Sequence, residues 1–432
     1  MVRKALFMAL GLSLVVFLLP PLAEGGEWAT GRVDNAVSGK PVAGAVVTCG
    51  AGRVLTAADG TFRIRAKGRL LRARAPGYRR AEQPLGADTS IFLQPFSPKG
   101  LYLSFYGIGS SQLLDPALRL IRNTELNALV IDVKGDRGMI SMKVPIPLAD
   151  EIGAQRIITV RHPHALLESL KARGIYTIAR IVVFKDDLLA TARPDLAVKT
   201  ASGKIWRDGQ NLAWVDPFSS RAWDYNIAIA QAAARLGFDE IQFDYVRFPD
   251  TPGLRFSWTN NEENRVQAIS GFLSAARKRL QPYNVFISAD VFGYVCWNRN
   301  DTHIGQSLEE LADAVDYISP MLYPSSFAHG VGRYKNPVEN PYKVVLLSLN
   351  KARERTGLAA VRFRPWLQAF RDYAFDRRWF HEDAVLAQTS ATEDFGADGW
   401  MLWNPRNVYR NCGLDEPRVE AKVEVEPRSV IR

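Results

Sequence analysis

The chain has 432 residues, 47% of them hydrophobic, and a formal net charge of +10. That length exceeds one small domain and suits a unit of about 250 residues with a satellite, and the apolar fraction excludes wholesale disorder. Cys49, Cys296 and Cys412 lie far apart; they permit at most one bridge and offer no metal-ligand spacing.

Residues 1–25 read as a secretory signal. Arg3 and Lys4 precede an apolar run from Ala5 to Leu19, Pro20-Pro21 break it, and a cut near Ala23 or Gly25 fits. The run is shorter than the roughly 20 apolar residues of a spanning helix. The expected destination is the periplasm, the cell envelope or the medium, with no membrane span after signal removal; an uncleaved anchor stays open.

Residues 26–98 alternate in short segments with the period of strands: Thr30–Val33, Ala45–Cys49, Thr61–Arg65, Leu70–Ala75 and Ser90–Leu93. Ser38-Gly39 and Asp59-Gly60 mark turns. A small all-β sandwich is expected. Arg63, Arg65, Lys67, Arg69, Arg72, Arg74, Arg79 and Arg80 crowd this segment. On an exported chain such a patch suits an anionic envelope polymer or lipid surface rather than nucleic acid, and a merely solvated face fits equally well.

From residue 99 to 413 strands and helices alternate. Expected strands are Leu101–Ile108, Ala128–Val133, Tyr176–Val183, Glu240–Asp244, Val285–Asp290, Tyr317–Leu322, Arg364–Gln368 and Gly399–Trp403. Expected helices are Pro116–Thr124, His164–Arg173, Arg221–Leu236, Arg265–Leu280, Ser307–Ala314, Pro341–Thr356 and His381–Phe395. Eight strands alternating with helices point to a (β/α)8 barrel, an α/β fold; an open doubly wound sheet would be favoured by a Gly-rich nucleotide turn, which the chain lacks. Residues 414–432 are charged and unpatterned and read as a tail.

Barrel chemistry gathers at the carboxyl ends of strands. Those ends carry Asp132, Arg180, Asp244 with Arg247, Asp290, Tyr323, Gln368, Trp403 and Asn404. A lone Asp in such a place often only caps a loop; several on one rim suggest a site. Glycoside cleavage needs two carboxyl groups, one to protonate the leaving oxygen and one to attack or to activate water, about 5–5.5 Å apart for retention or about 6.5–9.5 Å for inversion. Asp244 is the expected nucleophile or base, kept ionised by Arg247, and Asp290, beside Val291 and Phe292, is the expected acid. Asp132 is the reserve acid or a partner for Lys134 or Arg180. Arg180, Arg247, Tyr323, Gln368, Trp403 and Asn404 would hold a sugar, and Trp214 belongs to a 187–220 segment too long for a plain connection. The scattered histidines form no metal pattern, and no metal or cofactor is expected.

Two resemblances sharpen this. Gly31-Arg-Val33, Gly39–Val46, Ala58–Phe62 and Ala75-Pro-Gly-Tyr78 resemble the carboxypeptidase regulatory-like domain, which implies a transthyretin-like sandwich without chemistry of its own. Leu129–Lys134, Trp214–Pro217, Phe238–Pro249, Arg364–Gln368 and Gly399–Asn404 resemble a glycoside hydrolase-like family of bacterial TIM-barrel proteins. That resemblance implies hydrolysis of a polysaccharide without defining the sugar. Asp239, Asp244, Tyr323 and Trp403 also fall where family 18 chitinases keep motif residues, but Val246 stands where those enzymes keep the acid Glu and Gln242 at another Asp position. Chitinase-type substrate assistance is therefore not expected. A non-catalytic carbohydrate-binding barrel and an envelope scaffold stay open as alternatives, since fold alone does not establish activity.

Overall fold

A computed structural model describes residues 28–86, 88–409 and 414. The expected signal, Cys412 and all of the expected tail except Leu414 lie outside these. The first seven strands are β1 (Trp28–Asn35), β2 (Val46–Cys49), β3 (Gly52–Leu55), β4 (Thr61–Arg65), β5 (Leu70–Arg74), β6 (Ala81–Pro84) and β7 (Asp88–Leu93). They form two sheets in the orders β4-β1-β7 and β3-β2-β5-β6. Val33, Val47, Phe62, Ile64, Leu71 and Ile91 fill the core between them. β3 and β6 went unrecognised in the sequence because they are sheet edges. Neither has a fully buried residue, so neither shows the apolar alternation that betrays a half-buried strand.

Eight further strands close into a parallel barrel: β8 (Lys99–Leu103), β9 (Ala128–Lys134), β10 (Tyr176–Val182), β11 (Glu240–Asp244), β12 (Phe286–Phe292), β13 (Tyr317–Met321), β14 (Trp366–Gln368) and β15 (Trp400–Trp403). Every expected barrel strand is present within a few residues. The side-chain period of two divides each strand between faces. Leu129, Ile131, Ala179, Ile181, Ile241, Phe243, Ile287, Ala289 and Ile318 pack outward with the helices. Tyr102, Val130, Tyr176, Ile178, Phe286, Tyr317, Trp366 and Met401 pack together inside. The first barrel helix begins earlier than expected, at Ser111, and carries Pro116 within it.

The interior is layered. At the amino-terminal end Glu240 accepts from Arg364 (2.5 Å), Tyr176 (2.9 Å) and Ser288 (2.6 Å), and Arg364 also pairs with Asp398 at 3.0 Å. Glu240 and Arg364 have no exposed side-chain surface. A charge that deep persists only when paired and hydrogen-bonded. Above it Gln242 reaches Ser319 and Met401, each at 3.4 Å.

The sandwich sits over this amino-terminal end. Arg74 meets Asp316 (3.4 Å) and Asn284 (3.3 Å), the Gly77 N–H donates to the Tyr317 hydroxyl (3.2 Å), and Arg79 donates to the Gly174 carbonyl (2.8 Å). Arg80 pairs with Asp239 at 3.3 Å. Part of the basic cluster of 63–80 thus faces the barrel. Cys49 and Cys296 are free, buried thiols. Among the described residues no helix is long and apolar enough to cross a membrane, and no group of three His, Cys, Asp or Glu could hold a metal.

Candidate active site

The carboxyl end of the barrel gathers three carboxyl groups and one guanidinium. β9, β10, β11 and β12 are consecutive neighbours, and Asp132, Arg180, Asp244 and Asp290 share the inward parity of their strands. Arg180 lies in register with Asp132, and β9 skips one residue immediately afterwards. Such a bulge re-aims side chains and is frequent beside active sites.

Arg180 is divided between two carboxylates. Its Nη1 donates to Asp132 Oδ1 (2.5 Å), while Nε (2.9 Å) and Nη2 (2.5 Å) donate to Asp244 Oδ2. The Tyr102 hydroxyl (2.6 Å) and the Phe105 N–H (3.2 Å) complete the shell of Asp132. The guanidinium also lies 5.0 Å from the Trp403 ring centre and 5.4 Å from that of Tyr102. Those two rings stack at 4.0 Å and 22°, so the cation rests against an aromatic wall. Burial would lower the pKa of Arg180, but Asp132 and Asp244 outweigh it and hold the pKa well above the usual value. Burial raises the carboxyl pKa of Asp132 against the pull of Arg180.

Asp244 ends β11. Its second oxygen, Oδ1, accepts the backbone N–H of Tyr245 at 2.6 Å. Tyr245 has φ +48°, a left-handed conformation uncommon outside glycine and strained for a bulky residue, of a kind that clusters at functional sites. The turn brings that N–H back onto the carboxylate and sends the chain toward Arg247.

Asp290 differs. It is 1% exposed, and among the described residues its side-chain donor is Trp366, whose indole N–H reaches Oδ1 at 2.8 Å. Burial, then the charge of Asp244, pushes its pKa well above the ordinary carboxylate range, while Arg180 and Trp366 pull the other way. Burial and then the negative charges of Asp290 and Asp244 also raise the Tyr323 phenol. The rim therefore combines an ion-paired carboxylate with a buried carboxyl group whose pKa is raised, the kind of asymmetry that acid–base cleavage uses.

Residues 100–409 match the family described as "Putative glycosyl hydrolase domain". The chain belongs to this family. Its barrel is a glycoside hydrolase barrel. A hypothetical protein from Ruminiclostridium thermocellum ATCC 27405 is 39% identical over 44% of this chain and 97% of its own, with a TM-score of 0.40. The PgaB (BpsB) glycoside hydrolase domain from Bordetella bronchiseptica superposes with a TM-score of 0.54 at 14% identity, over 72% of this chain and 95% of that one. At that identity the likeness speaks for the fold alone. No curated protein matches the chain.

In this glycosyl hydrolase barrel the expected site residues divide into two groups. Asp132, Arg180, Asp244, Asp290, Tyr323 and Trp403 converge at the mouth. Arg180, not Arg247, is the cation paired with Asp244. Strand parity aims residues 180 and 244 into the same lumen, whereas Arg247 lies beyond the Tyr245 turn. Asp132 takes the Arg180 partnership, and Lys134 points outward to Asp186 at 2.7 Å. Gln368 is fully buried; its amide meets Ser325 and the Phe370 carbonyl, which fixes the turn after Tyr323. Asn404 donates to the Ala369 and Val408 carbonyls and ties loops together. Trp214 lies behind Tyr245, 5.5 Å between ring centres, with its indole N–H on Asp208 at 3.1 Å. A cleft of about 1070 Å³ opens at the sandwich–barrel seam around Phe96, Arg119 and Arg173, away from this chemistry. Tyr102 was missed in the sequence, and Trp366, read there at the end of its strand, was given no role. Both were legible there: Trp366 shares the parity of Gln368, and Tyr102 alternates with Leu101 and Leu103.

Proposed function

We propose that the protein is an exported hydrolase that cleaves a polysaccharide of the cell envelope or its surroundings, with Asp290 as proton donor and Asp244 as nucleophile or base. The observation that carries this reading is the asymmetry of two carboxyl groups on adjacent strands. Asp244 is paired to Arg180 and a backbone N–H, while Asp290, desolvated and beside that negative charge, keeps its proton. In the reaction the Asp290 proton passes to the glycosidic oxygen as the bond to the anomeric carbon breaks. Asp244 stabilises the oxocarbenium-like centre and either attacks it or takes a proton from the incoming water. Asp132 acts through Arg180, keeping the guanidinium charge divided so that Asp244 is not fully neutralised. Tyr323, Tyr102 and Trp403 supply the polar and stacking surface for the sugar.

The experiment is product release from bacterial exopolysaccharides and peptidoglycan, followed by mass spectrometry for wild type, Asp244→Asn and Asp290→Asn. Defined oligosaccharides from wild type alone support the reading. Cleavage that survives either substitution overturns the assignment, and glycan binding without cleavage by any form favours a retired, carbohydrate-binding barrel. N-terminal sequencing of the secreted protein tests export, with a start near residue 24–26 expected from the signal at 1–25.

A further inference from the structure

On the turn that follows Asp244 lies a cation that no acid among the described residues neutralises. Arg247 is half-buried, with its guanidinium carbon 5.0 Å from the Trp214 ring centre and 5.3 Å from that of Tyr245. Its Nη1 donates to the Phe248 carbonyl at 2.9 Å. Among the described residues no carboxylate lies within ion-pair distance of it. Lys185, 5.1 Å from the same Tyr245 ring, is the contrast. That ammonium pairs with Asp208 at 3.0 Å and approaches Asp136 at 3.9 Å. Of two cations against one aromatic ring, the lysine is satisfied and the arginine is not.

A partly desolvated charge without a counterion is unfavourable. Arg247 holds its place through two ring faces and a carbonyl, leaving most of its five donors unfilled. The planar fork of a guanidinium matches a carboxylate with two parallel hydrogen bonds. Its position is set by the strained Tyr245, whose N–H also holds Asp244, so Arg247 stands three residues from the reacting carboxylate on the same turn.

The overall charge of the chain, +10, favours the approach of an anionic polymer.

From this we infer that Arg247 is a specificity-determining residue that binds the carboxylate of an acidic sugar, so that the substrate is a uronic-acid-containing polysaccharide. This rests on the hydrolase reading for its consequence, but recognition is measurable without cleavage. The test is affinity electrophoresis and calorimetry of the full chain at low and moderate salt. The probes are polygalacturonate and hyaluronan, with dextran as neutral chain, chitosan as cationic chain and a phosphate-bearing glycan. Tenfold or greater preference for a uronate chain is expected, with most of it lost in Arg247→Met and an intermediate loss in Arg247→Lys, which keeps the charge but not the fork. Equal binding of neutral or cationic chains overturns the inference, as does stronger binding of the phosphate chain or a preference unchanged in Arg247→Met. Should Arg247→Met fold poorly, a wild-type-like preference in Arg247→Lys is decisive against the fork. Reducing-end release from the bound chain is scored separately. Its absence with the preference intact counts against hydrolysis and leaves recognition standing; its presence on neutral glycans without the preference does the reverse.

Discussion

Asp290 shows how a single side chain can trade stability for chemistry. Its pKa in the folded state is raised by burial and by Asp244, so the folded chain binds a proton that the unfolded chain releases. Stability then falls as pH rises from the ordinary Asp value of about 3.9 toward the folded value, and the loss is complete above it. Asp290→Asn keeps an oxygen for the Trp366 indole but carries no charge. It is expected to abolish turnover and to raise Tm at neutral pH, with the gain shrinking toward pH 4. Each kcal/mol recovered corresponds to roughly 1 °C for a chain of this length, and thermal melts from pH 4 to 8 read it directly. The same residue sets the alkaline limb of the activity profile, because an acid must be protonated to act. Trp366→Phe removes a donor that favours the carboxylate, so that limb moves to higher pH. Any residual activity of Asp244→Gln, which lacks the neighbouring negative charge, shows the limb moved lower. A pH–rate profile in which both variants match wild type would remove Asp290 as the acid.

At the scale of elements, legibility followed burial. The inward period of two placed Asp132, Arg180, Asp244 and Asp290 on one face before any geometry was known, because a barrel strand has no other way to aim them. The edge strands β3 and β6 escaped because they bury no complete residue. The pairing of Arg180 rather than Arg247 with Asp244 escaped because it depends on a left-handed turn at Tyr245, which no apolar pattern announces. The segment 187–220 was recognised only as too long for a plain connection. It folds back on itself through Ala197↔Val215 and Arg207↔Ala213 bridges, and Asp187, Asp208 and Asp216 accept its N–H groups. Asp208 accepts the Trp214 indole (3.1 Å) and the N–H groups of Gln210 (2.9 Å) and Leu212 (3.1 Å), and it pairs with Lys185. Asp208→Ala releases these donors together, and because the hydrogen bonds are exposed or only half-buried each costs no more than the roughly 1 kcal/mol of an ordinary hydrogen bond. It is expected to loosen Trp214 and hence the Tyr245–Arg247 wall, raising KM more than it lowers kcat and speeding proteolysis within 199–213. Unchanged KM and unchanged cleavage would show that the wall stands without this hub.

At the scale of the whole molecule, the question is whether the sandwich is a passenger or a stopper. The barrel's amino-terminal end exposes aromatic and charged interior groups, and the sandwich covers them through Phe96, the Gly77 N–H on Tyr317, and Arg74. Phe96 lies 5.4 Å from Tyr176 between ring centres, and the Arg79 guanidinium covers its other side at 3.7 Å. Asp316 is the electrostatic hinge of this seam. Burial would raise its pKa, but Arg74 and Arg277 outweigh burial and hold it below the ordinary value. A depressed carboxyl pKa contributes stability above the unfolded pKa and loses it as pH falls through the folded one. Arg74→Met takes away one of the two pairing cations and leaves Arg277 at 3.4 Å, so the cost should fall at or below the lower end of the range for a broken buried pair, about 3 kcal/mol. That loss is expected at neutral pH and should shrink in acid, where wild type weakens as well. The variant should also make residues 70–80 open to hydrogen exchange before the barrel strands do, whereas in wild type the two regions exchange together if the seam joins them into one cooperative unit. Independent exchange of the two regions in wild type would instead show that the sandwich and the barrel keep separate stabilities, and that the contacts at Tyr317 and Asp316 orient the sandwich without sealing the barrel.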